Sequence, residues 1–344
     1  MRSASSRVSR SGGAVAAVLG LALTACSWSS PTPATEPEAD VRFDDGVVRR
    51  DLRFPCGEST CAGWLYVPPD AERPPVVVMG NGFSGTRDMG MPLFAHAFAQ
   101  RGIAAFSFDY RFLGASGGLP RQLIDPWEQL DDWRAALAFV RTRSELDGAR
   151  TAVWGTSFGG GLVIVIGAED PEVSAIVAQV PALDTGAEPE GPRVSIGWGM
   201  RLLITAWADL ARSNFSDEAL VIPAFAPPGE FGMIVDDVSY AEMGPLRVLG
   251  SSWRNELAAR SILTFDEYDP ADSWDDVAVP TLLVATEGDR LAAFDAVRAF
   301  EAANPHVRVE TFEGSHFDVY QPPVSDRVAA LEADFLRGVW SGAP

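Results

Sequence analysis

Residues suited to nucleophilic catalysis occur in a readable order along this 344-residue chain. Ser157 lies in Gly155-Thr156-Ser157-Phe158-Gly159, directly after the apolar run Thr151-Ala152-Val153-Trp154 and before an apolar stretch that begins near Gly159. A serine between a strand and a helix is held on a tight turn, and glycines two positions either side let other backbone pass closely. Its hydroxyl then projects over the end of a sheet, at a helix N-terminus that favours developing negative charge. Without that context the same five letters describe only a Gly/Ser turn.

A hydroxyl is a weak nucleophile at neutral pH and needs a base within hydrogen-bond reach. The chain has three histidines. His96 falls inside an early helical stretch and reads as structural, and His306 falls at the start of a strand and reads as a surface residue. His316, in Glu313-Gly314-Ser315-His316-Phe317 between the last strand and the final helix, is the expected base. Asp289, in the loop Thr286-Glu287-Gly288-Asp289-Arg290, is the expected acid that orients the imidazole, with Glu287 as its rival. An oxyanion needs backbone N–H donors. Phe158, next after the nucleophile, is one expected donor, and Phe83 in Gly80-Asn81-Gly82-Phe83-Ser84-Gly85 is the other. No metal or other cofactor is required by such a set.

The elements that must position these residues alternate. Val47–Phe54 and Ala62–Val67 read as a hairpin, and Pro75–Met79, Ile103–Phe108, Thr151–Trp154, Ser174–Val180, Thr281–Ala285 and Val307–Thr311 as strands. Pro92–Gln100, Gln122–Arg143, Gly159–Gly167 and Val324–Leu336 read as helices. This α/β alternation predicts a mostly parallel central sheet with helices on both faces. The stretch from Pro181 to about Pro280 breaks the rhythm. It has no clear strand, helical pieces around Ser195–Ala211 and Trp253–Leu263, and a Pro/Gly-rich middle. A connection this long is expected to be an insertion, here a helical cap over the site.

The N-terminal residues carry a different message. Arg2, Arg7 and Arg10 precede the apolar run Ala14–Leu23, which is too short to span a membrane comfortably, and small residues lead to Cys26. This predicts a signal peptide, and Leu23-Thr24-Ala25-Cys26 resembles a bacterial lipobox in which Cys26 is acylated; a plain signal peptide is the alternative. The expected division is signal peptide 1–25, a Ser/Thr/Pro-rich tether 26–44, core 45–180, cap insertion 181–279 and core 280–344. Such a protein is exported and either held at the outer face of the cell membrane or secreted. Cys56 and Cys61, the remaining cysteines, suit a short-loop disulfide or two free thiols, and are too few for zinc. The formal charge of −20 becomes −23 without the three leading arginines, which argues against nucleic acid as a partner.

Taken in order, Gly80-Asn81-Gly82-Phe83, Phe108-Asp109-Tyr110-Arg111 with Gly114-Ala115-Ser116-Gly117, the serine pentapeptide, Glu287-Gly288-Asp289-Arg290 and Gly314-Ser315-His316-Phe317 resemble the α/β-hydrolase superfamily. The likeness is to its bacterial dienelactone-hydrolase-like and acyl-peptidase-like serine hydrolases, and it covers about residues 45–340. It implies Ser157 as nucleophile, Asp289 as acid, His316 as base, and the amides of Phe83 and Phe158 as oxyanion donors. The usual residue at position 81 is His; here Asn81 is expected to brace the loop through its amide. Dienelactone hydrolases use a Cys nucleophile and lack a long cap, so another small-molecule ester is the expected substrate. Trp198, Trp207, Phe225, Phe231 and Trp253 would offer it aromatic surface. A peptidase or amidase with Glu230, Asp236 or Asp237 holding an amino terminus is the second reading, and a non-catalytic binding protein on the same scaffold the third.

Overall fold

Core strands of five to ten residues alternate with helices in chain order. The computed structural model describes residues 27–28, 36–184, 195–249, 252–265 and 268–342. A two-residue strand β1 (Ser27–Trp28) and an edge strand β2 (Val41–Arg42) precede the hairpin β3 (Val48–Cys56) and β4 (Ser59–Val67). Then follow β5 (Pro75–Gly80), α1 (Met91–Gln100), β6 (Ala104–Phe108), α2 (Pro126–Arg141), β7 (Asp147–Thr156), α3 (Phe158–Glu169) and β8 (Val173–Gln179). The inserted segment holds α4 (Ile196–Arg212), β9 (Leu220–Ile222), β10 (Phe225–Ala226), β11 (Ile234–Val235), α5 (Asp237–Glu242), α6 (Gly244–Leu249) and β12 (Leu257–Ala258). The chain returns with β13 (Thr281–Thr286), α7 (Phe294–Ala303), β14 (Val307–Phe312) and α8 (Val324–Ser341).

The main sheet has nine strands in the order β14-β13-β8-β7-β5-β6-β4-β3-β2. The six strands from β14 to β6 are parallel, and β4, β3 and β2 join antiparallel at one edge. Helices cover both faces, so the central strands are continuous apolar runs rather than alternating ones; Val76, Val77, Val78 and Met79 of β5 are all fully buried. On one face Trp154 of β7 donates its indole N–H to Glu332 of α8 at 2.9 Å. On the other, Trp133 of α2 packs edge-on against Phe108 of β6. In this order Ser157, Asp289 and His316 all follow the C-terminal ends of parallel strands, so the sheet itself brings them to one edge.

Several boundaries differ from the sequence expectation for local reasons. Helix α2 starts at Pro126 rather than Gln122, because Asp125 caps it by accepting from the amides of Trp127 and Glu128 and Pro126 takes the first turn. The inserted segment, expected to lack strands, contains β9 to β12, each too short to display a period of two. The stretch Trp253–Leu263, expected to be helical, is instead β12 followed by a 3-10 turn over Ala259–Leu263. The unforeseen α5 begins where Asp236 accepts the Ser239 amide. What organises the segment is a buried charge: Asp209 of α4 accepts from the Leu220 amide at 2.7 Å and from the Arg260 guanidinium at 2.8 Å.

Cys56 and Cys61 are joined by a disulfide at the tip of the first hairpin. Val41–Arg42 pairs with β3, so the sheet reaches into residues expected to be tether. The expected signal peptide and Cys26 lie outside the described residues.

Candidate active site

Strand β7 runs straight into the turn that carries Ser157. Ser157 has φ 55° and ψ −123°, a strained left-handed backbone held by its neighbours. Its amide donates to Gln179 at 2.8 Å, and its carbonyl accepts from Gly160 at 2.8 Å and Ala182 at 3.0 Å. The turn tolerates no side chain where β5 crosses it: a Cβ on Gly159 would sit 2.4 Å from the Asn81 carbonyl oxygen. Helix α3 starts at Phe158, so its first amides point past Ser157 with no intrahelical acceptor.

Three side chains from three loops meet there. His316 Nε2 lies 3.0 Å from Ser157 Oγ, and His316 Nδ1 lies 2.7 Å from Asp289 Oδ2. The other carboxylate oxygen of Asp289 accepts from the amides of Leu291 and Ala292, each at 2.8 Å, which fixes the plane of the acid. Both His316 and Asp289 are buried, while Ser157 stays half-open. Glu287, the rival acid, is exposed. Of the other histidines, His96 bonds Asp45 at 2.7 Å and His306 is exposed. An imidazole held between a carboxylate and a hydroxyl can take the hydroxyl proton at Nε2 while the acid stabilises the charge that forms.

The loop after β5 lies against the serine, since a Cβ on Gly82 would be 2.8 Å from Ser157 Cβ. Asn81 holds this loop. Its Oδ1 accepts from the Gly82 amide at 2.8 Å, and its Nδ2 donates to the carbonyls of Thr86 at 2.7 Å and Met89 at 3.0 Å. Among the described residues no backbone acceptor engages the amides of Phe83 or Phe158, leaving both N–H groups open beside Ser157.

Phenylalanines wall the space. Phe83 makes ring contacts with Phe158, Phe225 and Phe265 at 6.0–6.4 Å, and Phe158 with Phe265 and Tyr268 at 5.5 Å. Phe225, Phe265 and Tyr268 come from the inserted segment, which therefore closes over the loop that carries Phe83. Trp253 adds a bond from its indole N–H to Ser84 Oγ at 3.3 Å.

Comparison with known proteins places this arrangement. A family model described as serine aminopeptidase, S33 matches residues 72–225. The quorum-quenching protein AidA of Acinetobacter baumannii is 31% identical over 291 residues, covering 84% of this chain and 94% of that protein. The chain belongs to the α/β-hydrolase superfamily. The polyketide transferase grgF of a Penicillium species is 27% identical over 319 residues, covering 89% of the hydrolase and 98% of that relative. The crystal structure of the α/β hydrolase GrgF from Penicillium sp. sh18 superposes with a TM-score of 0.71 at 23% identity, over 84% of this chain and 98% of that one.

Some expected site residues of the hydrolase lie elsewhere. Trp207 does not face the site; it is on the outer side of α4 and 61% exposed. Phe231 is buried beneath the guanidinium of Arg201. Glu230 and Asp237 are exposed, and Asp236 pairs with Arg290 at 2.9 Å. The sequence reading missed Phe265, and also a polar layer under the serine strand in which Gln179 donates to Thr156 Oγ1 at 3.3 Å and Thr156 bonds the Tyr320 hydroxyl. Burial pushes the Tyr320 hydroxyl well above its ordinary value, so it stays protonated. Asp132 lies near the sulfurs of Cys56 and Cys61, but sulfurs bonded to each other are not thiolate ligands.

Proposed function

We propose that this hydrolase cleaves a small carboxylic ester through an acyl-enzyme on Ser157. The observation that carries this reading is the hydrogen-bonded line from Ser157 Oγ through His316 to Asp289, at 3.0 Å and 2.7 Å, on a strained turn. Ser157 Oγ attacks the ester carbonyl as its proton passes to His316 Nε2. The amides of Phe83 and Phe158 receive the oxyanion. The imidazolium returns the proton to the departing alcohol, and water activated by His316 then releases the acid and frees the serine.

The phenylalanine walls favour an apolar or aromatic acyl group. Similarity to a quorum-quenching protein and to a thiohydrolase of Eupenicillium brefeldianum is in keeping with hydrolysis of a small molecule. The description of the matching family raises an aminopeptidase, but of the three acids that would hold an amino terminus Asp236 is already paired with Arg290 and the other two are exposed. We further propose that residues 1–25 are a signal peptide and that the mature enzyme is anchored through acylated Cys26.

A fluorophosphonate probe tests the nucleophile. The wild type is labelled and Ser157→Ala is not; an unlabelled wild type returns the chain to the binding-protein reading. Matched aryl esters and anilides then separate esterase from amidase, the ester being turned over faster. Loss of membrane association and of acyl mass in Cys26→Ala tests the anchor.

A further inference from the structure

Helix α4 buries Leu202, Thr205, Ala206 and Asp209 against the rest of the protein and leaves a line of apolar residues outside. Ile196, Met200, Leu203, Trp207 and Leu210 fall at spacings of four and three and are between 38% and 88% exposed. Phe215, just beyond the helix, is 90% exposed. No charged residue of α4 shares this face: Arg201 stacks over Phe231, Asp209 is buried against Arg260, and Arg212 pairs with Glu218. A shallow groove lined by Met200, Leu203, Ile204, Trp207 and Ala208 runs along it. None of these residues is among those around Ser157. Among the described residues nothing covers this uncharged apolar strip, which makes it a candidate contact surface on a protein of formal charge −20.

Two occupants fit the spacing. A second copy could pair its own α4 along the same stripe. A helix of 17 residues is about 25 Å long and 10 Å across, so one face offers roughly 250 Å² per copy, and twice that is only about a third of the total a specific dimer ordinarily buries. A lipid surface needs neither shape complementarity nor a minimum area, and it accepts Trp and Phe at its boundary. The chain also enters the fold at this segment. Ser27 pairs with Val221 of β9, the strand that follows α4, and Cys26 is the residue before it. Among the described residues no helix is long and apolar enough to cross a membrane, so α4 would lie in the surface rather than span it.

We propose that the outer face of α4 docks on an uncharged lipid surface, so that the cap rests in the outer leaflet and the enzyme takes apolar esters from it. The inference rests in part on the reading of Cys26 as an anchor, because an acylated Cys26 would hold the strand beside α4 at a membrane surface. The surface itself is tested without the lipid. The chain from Ser27 onward, which keeps every described residue, is mixed with phosphatidylcholine vesicles and sedimented. Mass in solution and turnover of a water-soluble ester are measured alongside. The unlipidated chain is expected to sediment with the vesicles, and the Leu203→Gln/Trp207→Gln double variant to bind about tenfold less well, as expected for two half-exposed apolar side chains. Ester turnover should be equal in both. A wild type that stays in the supernatant overturns the proposal. Equal sedimentation of the double variant overturns it too. A wild-type dimer that falls apart in the double variant, without vesicle binding, assigns the face to a second copy instead. Ester turnover reports separately on the hydrolase reading, and the absence of acyl groups keeps the outcome independent of Cys26.

Discussion

Asn81 is where a side chain remote from the proton relay should control the rate. Asn81→Ala removes an acceptor for the Gly82 amide and two donors, to the carbonyls of Thr86 and Met89. The site is buried, so the stranded groups are poorly rehydrated. At about 1 kcal/mol for each of the three bonds, the variant should lose about 3 kcal/mol of stability. A domain of ordinary stability survives that loss. The larger effect is local. Gly82 and Phe83 are then free to move away from Ser157, and displacing one oxyanion donor costs about 10² to 10³ in kcat. KM should change little, because the carbonyl of the bound ester draws weakly on this amide compared with the oxyanion. The assay is steady-state hydrolysis of a soluble aryl ester, at a temperature where urea titration followed by tryptophan fluorescence shows the variant folded. Asn81→Asp sharpens the test. It keeps an acceptor for Gly82 but sets a carboxylate against two carbonyls, so it should be at least as slow. If Asn81→Ala is folded, destabilised as stated, and still turns over ester within about threefold of wild type, then either Asn81 does not position Phe83 or the Phe83 amide does not meet the oxyanion.

Three other perturbations have definite signs. Burial raises the Glu332 carboxyl from 4.5 to about 8, with the Trp154 indole N–H the opposing influence. The folded chain therefore keeps a proton that the unfolded chain has lost, and stability falls as pH rises from 4.5 to 8, by up to about 1.4 kcal/mol per unit. Glu332→Gln should flatten that slope and be the more stable protein at high pH; parallel urea midpoints against pH would rule the idea out. Phe265→Ala opens the wall beside Phe83 and Phe158, and should move preference on an ester panel toward bulkier acyl groups while leaving fluorophosphonate labelling intact. Arg290→Ala breaks the pair with Asp236 that ties the inserted segment to the loop of Asp289. Arg290 is partly exposed, so the expected stability loss is at most about 1 kcal/mol, and the informative readout is a higher KM.

The core was legible because burial on both faces leaves a strong local trace. Val76 to Met79 can only be a strand covered on two sides. Gly159 and Gly82 are legible as necessities: other backbone passes where their side chains would be. The meeting of Ser157, Asp289 and His316 follows from topology, since residues after the ends of neighbouring parallel strands must share an edge. The sequence favoured Asp289 over Glu287, and the fold shows why. Their loop is the same, and only the direction of each side chain decides which one reaches the imidazole.

The inserted segment resisted reading for the opposite reason. Its strands are two or three residues long, and its stability comes from contacts between distant positions, such as Asp209 with Arg260 and Trp253 with Ser84. Neither contact leaves a period in the sequence. The helix over Ser195–Ala211 was legible, but which of its sides is buried was not. A stripe of Ile196, Met200, Leu203, Trp207 and Leu210 ordinarily marks the buried side of a helix, and here Leu202, Ala206 and the Asp209–Arg260 pair claim the other side. An exposed stripe of that kind is unusual for a protein free in water. It becomes sensible if the solvent against that face is lipid, and then the same segment that supplies Phe225 and Phe265 to the site also decides which phase the ester comes from.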